Sequence, residues 1–231
     1  MPDPAVKIVA SQLAGIGGRP DVAVVHLSGA LRLDCLELPK EAGHPVGAFH
    51  PLQSFPRERG PSAFAGSLVA IDASTDELLH ELEELARALG GIPRRVTDGE
   101  RALYHAAAVF ASNYLVALAA QAVTTLESAG WEREEALPAL LPLMRGVLQN
   151  LEHAGLPGAL IGPIRRGDVD TVRRHLDAIG GAGAPSAELR EQVYRILGLA
   201  ALELAVEAGL DADAASEIKV ALTGGPAATR R

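Results

Sequence analysis

The sequence predicts a chain that is α/β in its first part and all-α in the rest, and three observations carry this. Short apolar runs rich in β-branched residues alternate with helical periodicity as far as Val96, and from Asp98 onward only helical periodicity remains. Aromatic residues make up 3% of the chain while Ala and Leu abound, the composition of packed helices. The strand candidates read as continuous rather than alternating apolar runs, so the sheet is expected to be parallel. The expected division is a sheet-bearing domain over 1–97, a helical domain over 98–223 and a disordered tail over 224–231.

The elements follow in order. Asp3 and Pro4 open a helix in which Val6, Val9 and Leu13 recur at helical spacing until Gly15. Gly15-Ile16-Gly17-Gly18 then follows a helix and precedes a strand, the reverse of the order a dinucleotide loop needs, and reads as a connecting turn. Val22–His26 is a strand that runs out into Leu27-Ser28-Gly29, and a short helix over Leu31–Leu38 follows. A second strand, Val46–Phe49, delivers His50 and Pro51 at its carboxyl end, and a third is expected over Ser67–Asp72. Ser74 with Glu77 forms a capping-box pattern before a helix with Leu78, Leu79, Leu82, Leu85 and Leu89 on one face. Ile92–Val96 is a last strand. A helix of roughly thirty residues then runs to Ala129, apolar nearly all round, as the buried spine of a helical domain or a subunit interface would be. Pro138 and Pro142 are expected to break or kink the helical stretch Trp131–Gly155, and Asp168, Ala187 and Asp213 open three more helices.

Charge and cysteine content narrow the function. A net charge of −8 at pI 5.4 argues against nucleic acid or an anionic membrane as the main partner. Cys35 is the sole cysteine, which removes intrachain disulfides and cysteine-rich metal sites and makes the cytoplasm the natural compartment. No signal peptide is visible, and His105, Ser112 and Asn113 interrupt the apolar run that would otherwise read as a membrane span. The seven histidines show neither zinc nor iron ligand spacing, and there is no serine-hydrolase elbow.

Polar residues in apolar surroundings mark the candidate site. Ligands of open α/β sheets bind beyond the carboxyl ends of the strands, where His26-Leu27-Ser28-Gly29 and His50-Pro51-Leu52-Gln53 both fall. His105 and Ser112 lie seven residues apart on one helical stripe with Asn113 at its edge, and burying them costs roughly 1–3 kcal/mol each unless they find partners. Either Ser112 bonds back to the preceding turn and His105 pairs with a loop, or the stripe lines a cleft with His26, Ser28 and His50. Arg165 and Arg166, before the helix capped by Asp168, form the candidate anion-binding spot.

Four motifs in this order resemble one bacterial family. They are His26-Leu27-Ser28-Gly29-Ala30-Leu31, Gly47-Ala48-Phe49-His50-Pro51-Leu52-Gln53-Ser54-Phe55, Tyr104-His105-Ala106-Ala107 with Ser112-Asn113, and Gly162-Pro163-Ile164 with Arg166-Gly167-Asp168. The family comprises Rossmann-like proteins whose C-terminal helical domain, similar to that of 6-phosphogluconate dehydrogenase, is of unknown function. Its relatives include prephenate dehydrogenase, ketopantoate reductase, pyrroline-5-carboxylate reductase and the 3-hydroxyacid dehydrogenases. The resemblance implies an NAD(P)-dependent oxidoreductase acting on a small carboxylate-bearing keto, hydroxy or imino substrate, with a helical domain that forms a homodimer. His50 or His105 would pass the proton, the His50-Pro51 strand end looking like that of prephenate dehydrogenase. Asn113 would orient the substrate, and Val109 stands where some relatives carry a catalytic lysine. Ser28, Gln53, Ser112, Arg165 and Arg166 would contact the substrate, and His26, Ser28, Gly29 and Pro51 the NADP or NAD.

Two further expectations come with the resemblance. Met1-Pro2-Asp3-Pro4 looks like the end of the family's fourth strand, so the glycine-rich pyrophosphate unit would precede the chain and the complete protein would be about ninety residues longer. The 231 residues alone are then expected to bind dinucleotide poorly. The alternative reading is a non-catalytic module that dimerises or binds a metabolite without the cofactor loop.

Overall fold

Burial on both faces drives the short apolar runs into a central sheet. The computed structural model describes residues 3–55, 61–181 and 187–224, and it divides into two compact units, Met1–Leu115 and Val116–Arg231. The helix Arg101–Ala111, which lies beyond the boundary drawn at residue 97 from sequence, belongs to the first unit. The tail expected to be disordered falls, apart from Gly224, outside the described residues.

In the first unit, α1 (Asp3–Ala14) leads to β1 (Val24–His26). A 3-10 turn and α2 (Glu37–Glu41) then carry the chain to β2 (Val46–Pro51). β3 (Leu68–Ala73), α3 (Asp76–Ala88), β4 (Ile92–Arg95) and α4 (Arg101–Ala111) complete it. The strand order is β1-β2-β3-β4. β1 runs parallel to β2 and β3 parallel to β4, but β2 and β3 are antiparallel, with Phe49 opposite Ile71. The sheet is therefore mixed, not wholly parallel. β1 and β2 are joined through α2 and β3 and β4 through α3, the crossovers that parallel pairs need, whereas no regular α-helix is described between β2 and β3. An apolar run reports burial on both faces, and that signal is the same for either strand direction.

The two faces of the sheet have different covers. Phe49, Val69 and Ile71 pack on Leu78, Leu82 and Ala86 of α3. Val46, on the opposite face of β2, packs with Val6 and Ala10 of α1 and with Cys35 and Leu36. Thr75, rather than Ser74, caps α3 by accepting from the Leu78 N–H at 3.2 Å. Ser74 instead accepts from the Val46 N–H at 2.9 Å, tying the start of the helix to β2. Gly90, at φ 82°, ends the helix in a conformation that side chains other than glycine resist.

The second unit contains most of α5 (Asn113–Ser128), which begins in the first, together with α6 (Arg133–Gly158), α7 (Val169–Gly180), α8 (Ala187–Glu207) and α9 (Ala212–Thr223). Its core is Val169, Val172 and Leu176 of α7, Leu202 of α8, and Ile218 and Leu222 of α9. Asp168 caps α7 through the Thr171 N–H at 3.0 Å, which makes Arg166-Gly167-Asp168 a loop running into a helix cap. α6 keeps helical backbone angles through Pro138 and Pro142; the break comes instead at Gly155 (φ 58°, ψ −162°) and Leu156. Glycine reaches that backbone region without strain, and Leu156 precedes Pro157, which disfavours the helical region for the residue before it.

The expected thirty-residue spine is also different. It is interrupted at Ser112 (φ −122°, ψ −74°), and it is not a buried core helix. By length and composition the run Arg101–Ser128 could cross a membrane, yet only 6% of its most apolar stretch is buried within the chain. Along α6, Ala136 is the only buried residue, and Leu137, Leu141, Leu143, Val147, Leu148 and Leu151 are exposed.

Candidate active site at the strand ends

The alternation of side chains along the strands decides what the site contains. His26 is paired with Ala48 and lies on the same face as His50, opposite the face that Phe49 presents to α3. On that side α4 presents Arg101, Tyr104 and His105, three and four residues apart and so on one helical stripe. The Tyr104 hydroxyl and His50 Nδ1 are 2.8 Å apart, with the two rings edge to face at 5.7 Å between centroids.

Gly29 closes this cluster from the β1 side. A Cβ built on it would stand 2.8 Å from His50 Nε2 and 2.9 Å from His105 Nδ1, both closer than a side chain tolerates. The loop holding Gly29 is shaped by Ser28, whose Oγ accepts from the Ala30 and Leu31 N–H groups at 3.1 Å each. The Ser28 N–H donates to His26 Nδ1 at 3.3 Å. His26, Ser28, Gly29, His50 and His105 are thus brought together.

The remaining sequence candidates have other employment. Ser112 and Asn113 are exposed; Ser112 Oγ donates back to the Ala108 carbonyl and lies 3.0 Å from Asn113 Oδ1, so the local bonding expected for Ser112 is what forms. Gln53 is exposed and spends its amide on the Ala63 carbonyl and the Ser54 N–H. Pro51, half-buried, ends β2 next to His50. In the second unit Arg165 donates to the Ala208 carbonyl at 2.9 Å, closing the end of α8, and Arg166 is exposed.

Sequence reading missed Arg101 and overlooked Tyr104 as a site residue. Arg101 is 0% exposed; its Nη2 donates to the Val96 carbonyl at 3.1 Å, while Nε and Nη1 have no hydrogen-bond partner. His26 Nε2 and His105 Nδ1 are likewise buried and unpartnered. A charged residue three and four positions before Tyr104 and His105 was the available signal. Among the described residues no three potential ligands gather for a metal ion.

Burial and the guanidinium favour the neutral forms of His26 and His50. Desolvation, then Arg101, pushes His26 down to about 4, outweighing the opposing pull of Asp3 and Asp98. Burial, then His105 and Arg101, lowers His50. Burial pushes the Tyr104 phenol up to about 12, so it remains protonated at any physiological pH. In chemical terms the cluster can offer polar hydrogens to a ligand and exchange a proton with it.

A profile of the family "Domain of unknown function (DUF2520)" matches residues 67–201. The chain belongs to the DUF2520 family. A search of curated proteins finds no match. Solved structures are similar to it. A Bacteroides fragilis protein assigned as an NADP oxidoreductase is 25% identical, with a TM-score of 0.65 over 85% of this chain and 72% of that one. A Thermotoga maritima protein is 27% identical, with a TM-score of 0.67 over 88% of this chain and 76% of that one. Plasmodium falciparum pyrroline carboxylate reductase, solved with NADP bound, is 13% identical with a TM-score of 0.52, covering 94% of this chain and 78% of its own; this likeness concerns the fold. The α/β part of this DUF2520 protein is thus a Rossmann-like unit, followed by a helical part.

A dinucleotide needs a cradle for its pyrophosphate, and neither of the glycine-bearing loops that flank β1 fits that need. Gly15–Gly18 lies between α1 and β1 and not at the mouth of a strand-to-helix turn. In the β1 loop the Ser28, Ala30 and Leu31 N–H groups are already used within the loop.

The lowered His26 gives a pH signature. Its neutral form is favoured by folding, so its contribution to stability is complete above about pH 6.5, declines as pH falls towards about 4, and changes no further below that. The loss is expected to reach about 2–3 kcal/mol. Chemical denaturation across this range measures it, and His26→Asn, which retains an acceptor for the Ser28 N–H, is expected to flatten that part of the profile.

Proposed function

We propose that this chain carries the substrate side of an NAD(P)-dependent oxidoreductase acting on a small carboxylate-bearing keto, hydroxy or imino compound in the cytoplasm. The observation that carries the reading is the His50–His105 pair around Gly29 at the carboxyl ends of β1 and β2, where open α/β sheets bind their ligands. The assignment of the Bacteroides fragilis neighbour supports it. His50 is the group that passes a proton to the substrate from Nε2 while taking one at Nδ1 from the Tyr104 hydroxyl, and His105 and Ser28 stand beside it. Ser28, Gly29 and Pro51 lie where a nicotinamide ring would approach the strand ends.

The test is turnover of nicotinamide, followed by absorbance, with a panel of 2-oxo acids and cyclic imino acids. His50→Gln is expected to reduce kcat roughly 100-fold or more and His105→Gln less. Unchanged rates in both variants remove the proton-transfer role.

One observation favours the alternative, a non-catalytic dimerisation or metabolite-binding module: neither glycine-bearing loop flanking β1 forms a pyrophosphate cradle. Calorimetry with NADPH separates the two, since stoichiometric tight binding to the 231 residues argues against the module.

We also propose that the exposed apolar side chains of α6 are covered by a second copy. A 26-residue helix with Ala136 as its only buried residue leaves an apolar stripe that an isolated chain in water does not maintain. Sedimentation equilibrium at micromolar concentration is expected to give a dimer, and Leu143→Glu to weaken it; a monomer at all concentrations contradicts this assignment.

A further inference from the structure

Tyr104 was not among the residues to which the sequence assigned a role, yet its hydroxyl makes the only described hydrogen bond to the His50 ring. The phenol has one proton and two acceptors in reach: His50 Nδ1 at 2.8 Å and the His50 carbonyl oxygen at 3.5 Å. Hydroxyl hydrogen bonds are made at about 2.5–3.0 Å; with Nδ1–H as donor the phenol proton would be left with the carbonyl at 3.5 Å, so the arrangement that uses it well puts it on the line to Nδ1. A nitrogen that accepts this proton carries none of its own, and in a neutral imidazole the ring hydrogen must then sit on the other nitrogen. That nitrogen, Nε2, is the one that borders the space a Cβ at Gly29 would fill.

We propose that Tyr104 is a positioning residue that fixes His50 as the Nε2–H tautomer, so that the strand-end cluster presents a hydrogen-bond donor to its ligand. This rests on the reading of His50 as the substrate-facing group, and it sharpens that reading by setting the polarity of the ligand atom. The atom that meets Nε2–H must be an acceptor, such as a carbonyl or carboxylate oxygen; a protonated amine is refused.

The surroundings agree with this assignment. No other described group bonds the His50 ring, so nothing competes with Tyr104 for Nδ1. The edge-to-face packing of the two rings holds the imidazole plane against rotation about χ2, which would exchange the roles of the nitrogens. His26 follows the same rule with a backbone donor: the Ser28 N–H points at its Nδ1, leaving Nε2 with the hydrogen. Arg101 adds only donors. The Tyr104 and Ser28 hydrogens are thus spent on the two imidazole Nδ1 atoms, and the His50 Nε2 hydrogen is left for a lone pair that the ligand supplies.

The direct test is ¹⁵N NMR of the histidine rings in the full chain. In the wild type, Nδ1 of His50 is expected at the shift of an unprotonated ring nitrogen and Nε2 at that of a protonated one; the reverse pattern overturns the proposal without any variant. In Tyr104→Phe, the His50 nitrogens are expected to move towards the averaged shifts of exchanging tautomers while those of His26, held by Ser28, stay in place. His50 shifts unchanged in a Tyr104→Phe protein that retains the His26 pattern also overturn it. In the turnover assay the same variant is expected to lose about tenfold or more in kcat with little change in KM. A wild type that shows the Nε2–H pattern but turns over no substrate rejects the oxidoreductase reading and leaves the tautomer assignment standing.

Discussion

The close approach at Gly29 is the constraint on which the site depends. The parallel pairing of β1 with β2 puts His26 and His50 on one face, but alignment alone would leave the β1 loop and the imidazoles apart. Because residue 29 has no side chain, the space that a Cβ would fill beside His50 Nε2 and His105 Nδ1 stays open, and helix α4 can settle on that face with Tyr104 in reach of His50. Any larger residue there has to displace two rings at once, and packed interiors resist such changes at a cost of about 1–3 kcal/mol.

The same packing fixes the electrostatics. A fully buried guanidinium shares the space beneath the strand ends with His26 and His50, and it is these two imidazoles that yield, because a guanidinium does not lose its proton in a protein. Desolvation and Arg101 together hold His26 and His50 in the neutral form. The phenol of Tyr104, kept protonated by burial, is then a donor with a neutral imidazole as its nearest acceptor. Charge, protonation state and the proposed tautomer are thus consequences of one another, and together they suit a ligand that brings acceptor oxygens.

Much of this was legible in the residues. The strands announced themselves through β-branched runs, and the histidines through their place at strand ends, because those signals are local. The direction of β3 was not legible, since an apolar run reports only that both faces are covered. Tyr104 and His105 sat in plain view at helical spacing from Arg101, but the roles of Arg101 and Tyr104 depend on which strand faces α4, a long-range fact. Ser112 and Gln53 looked like site residues because polar groups amid apolar ones demand partners; the structure satisfies them with Ala108 and with Ala63 and Ser54, all nearby in the chain. The prolines of α6 misled for a similar reason, as the break required a glycine able to take a positive φ and not only a missing N–H.

The central claim is that the imidazole cluster beside Gly29 receives the ligand. It is tested most directly by following the histidine ring protons of the chain by NMR while a 2-oxo acid is added. The account predicts saturable shifts at His50 and His105, with the surface residues His80 and His153 unmoved. Shifts confined to the surface histidines, or none at any ring while the ligand is shown to bind, would contradict it.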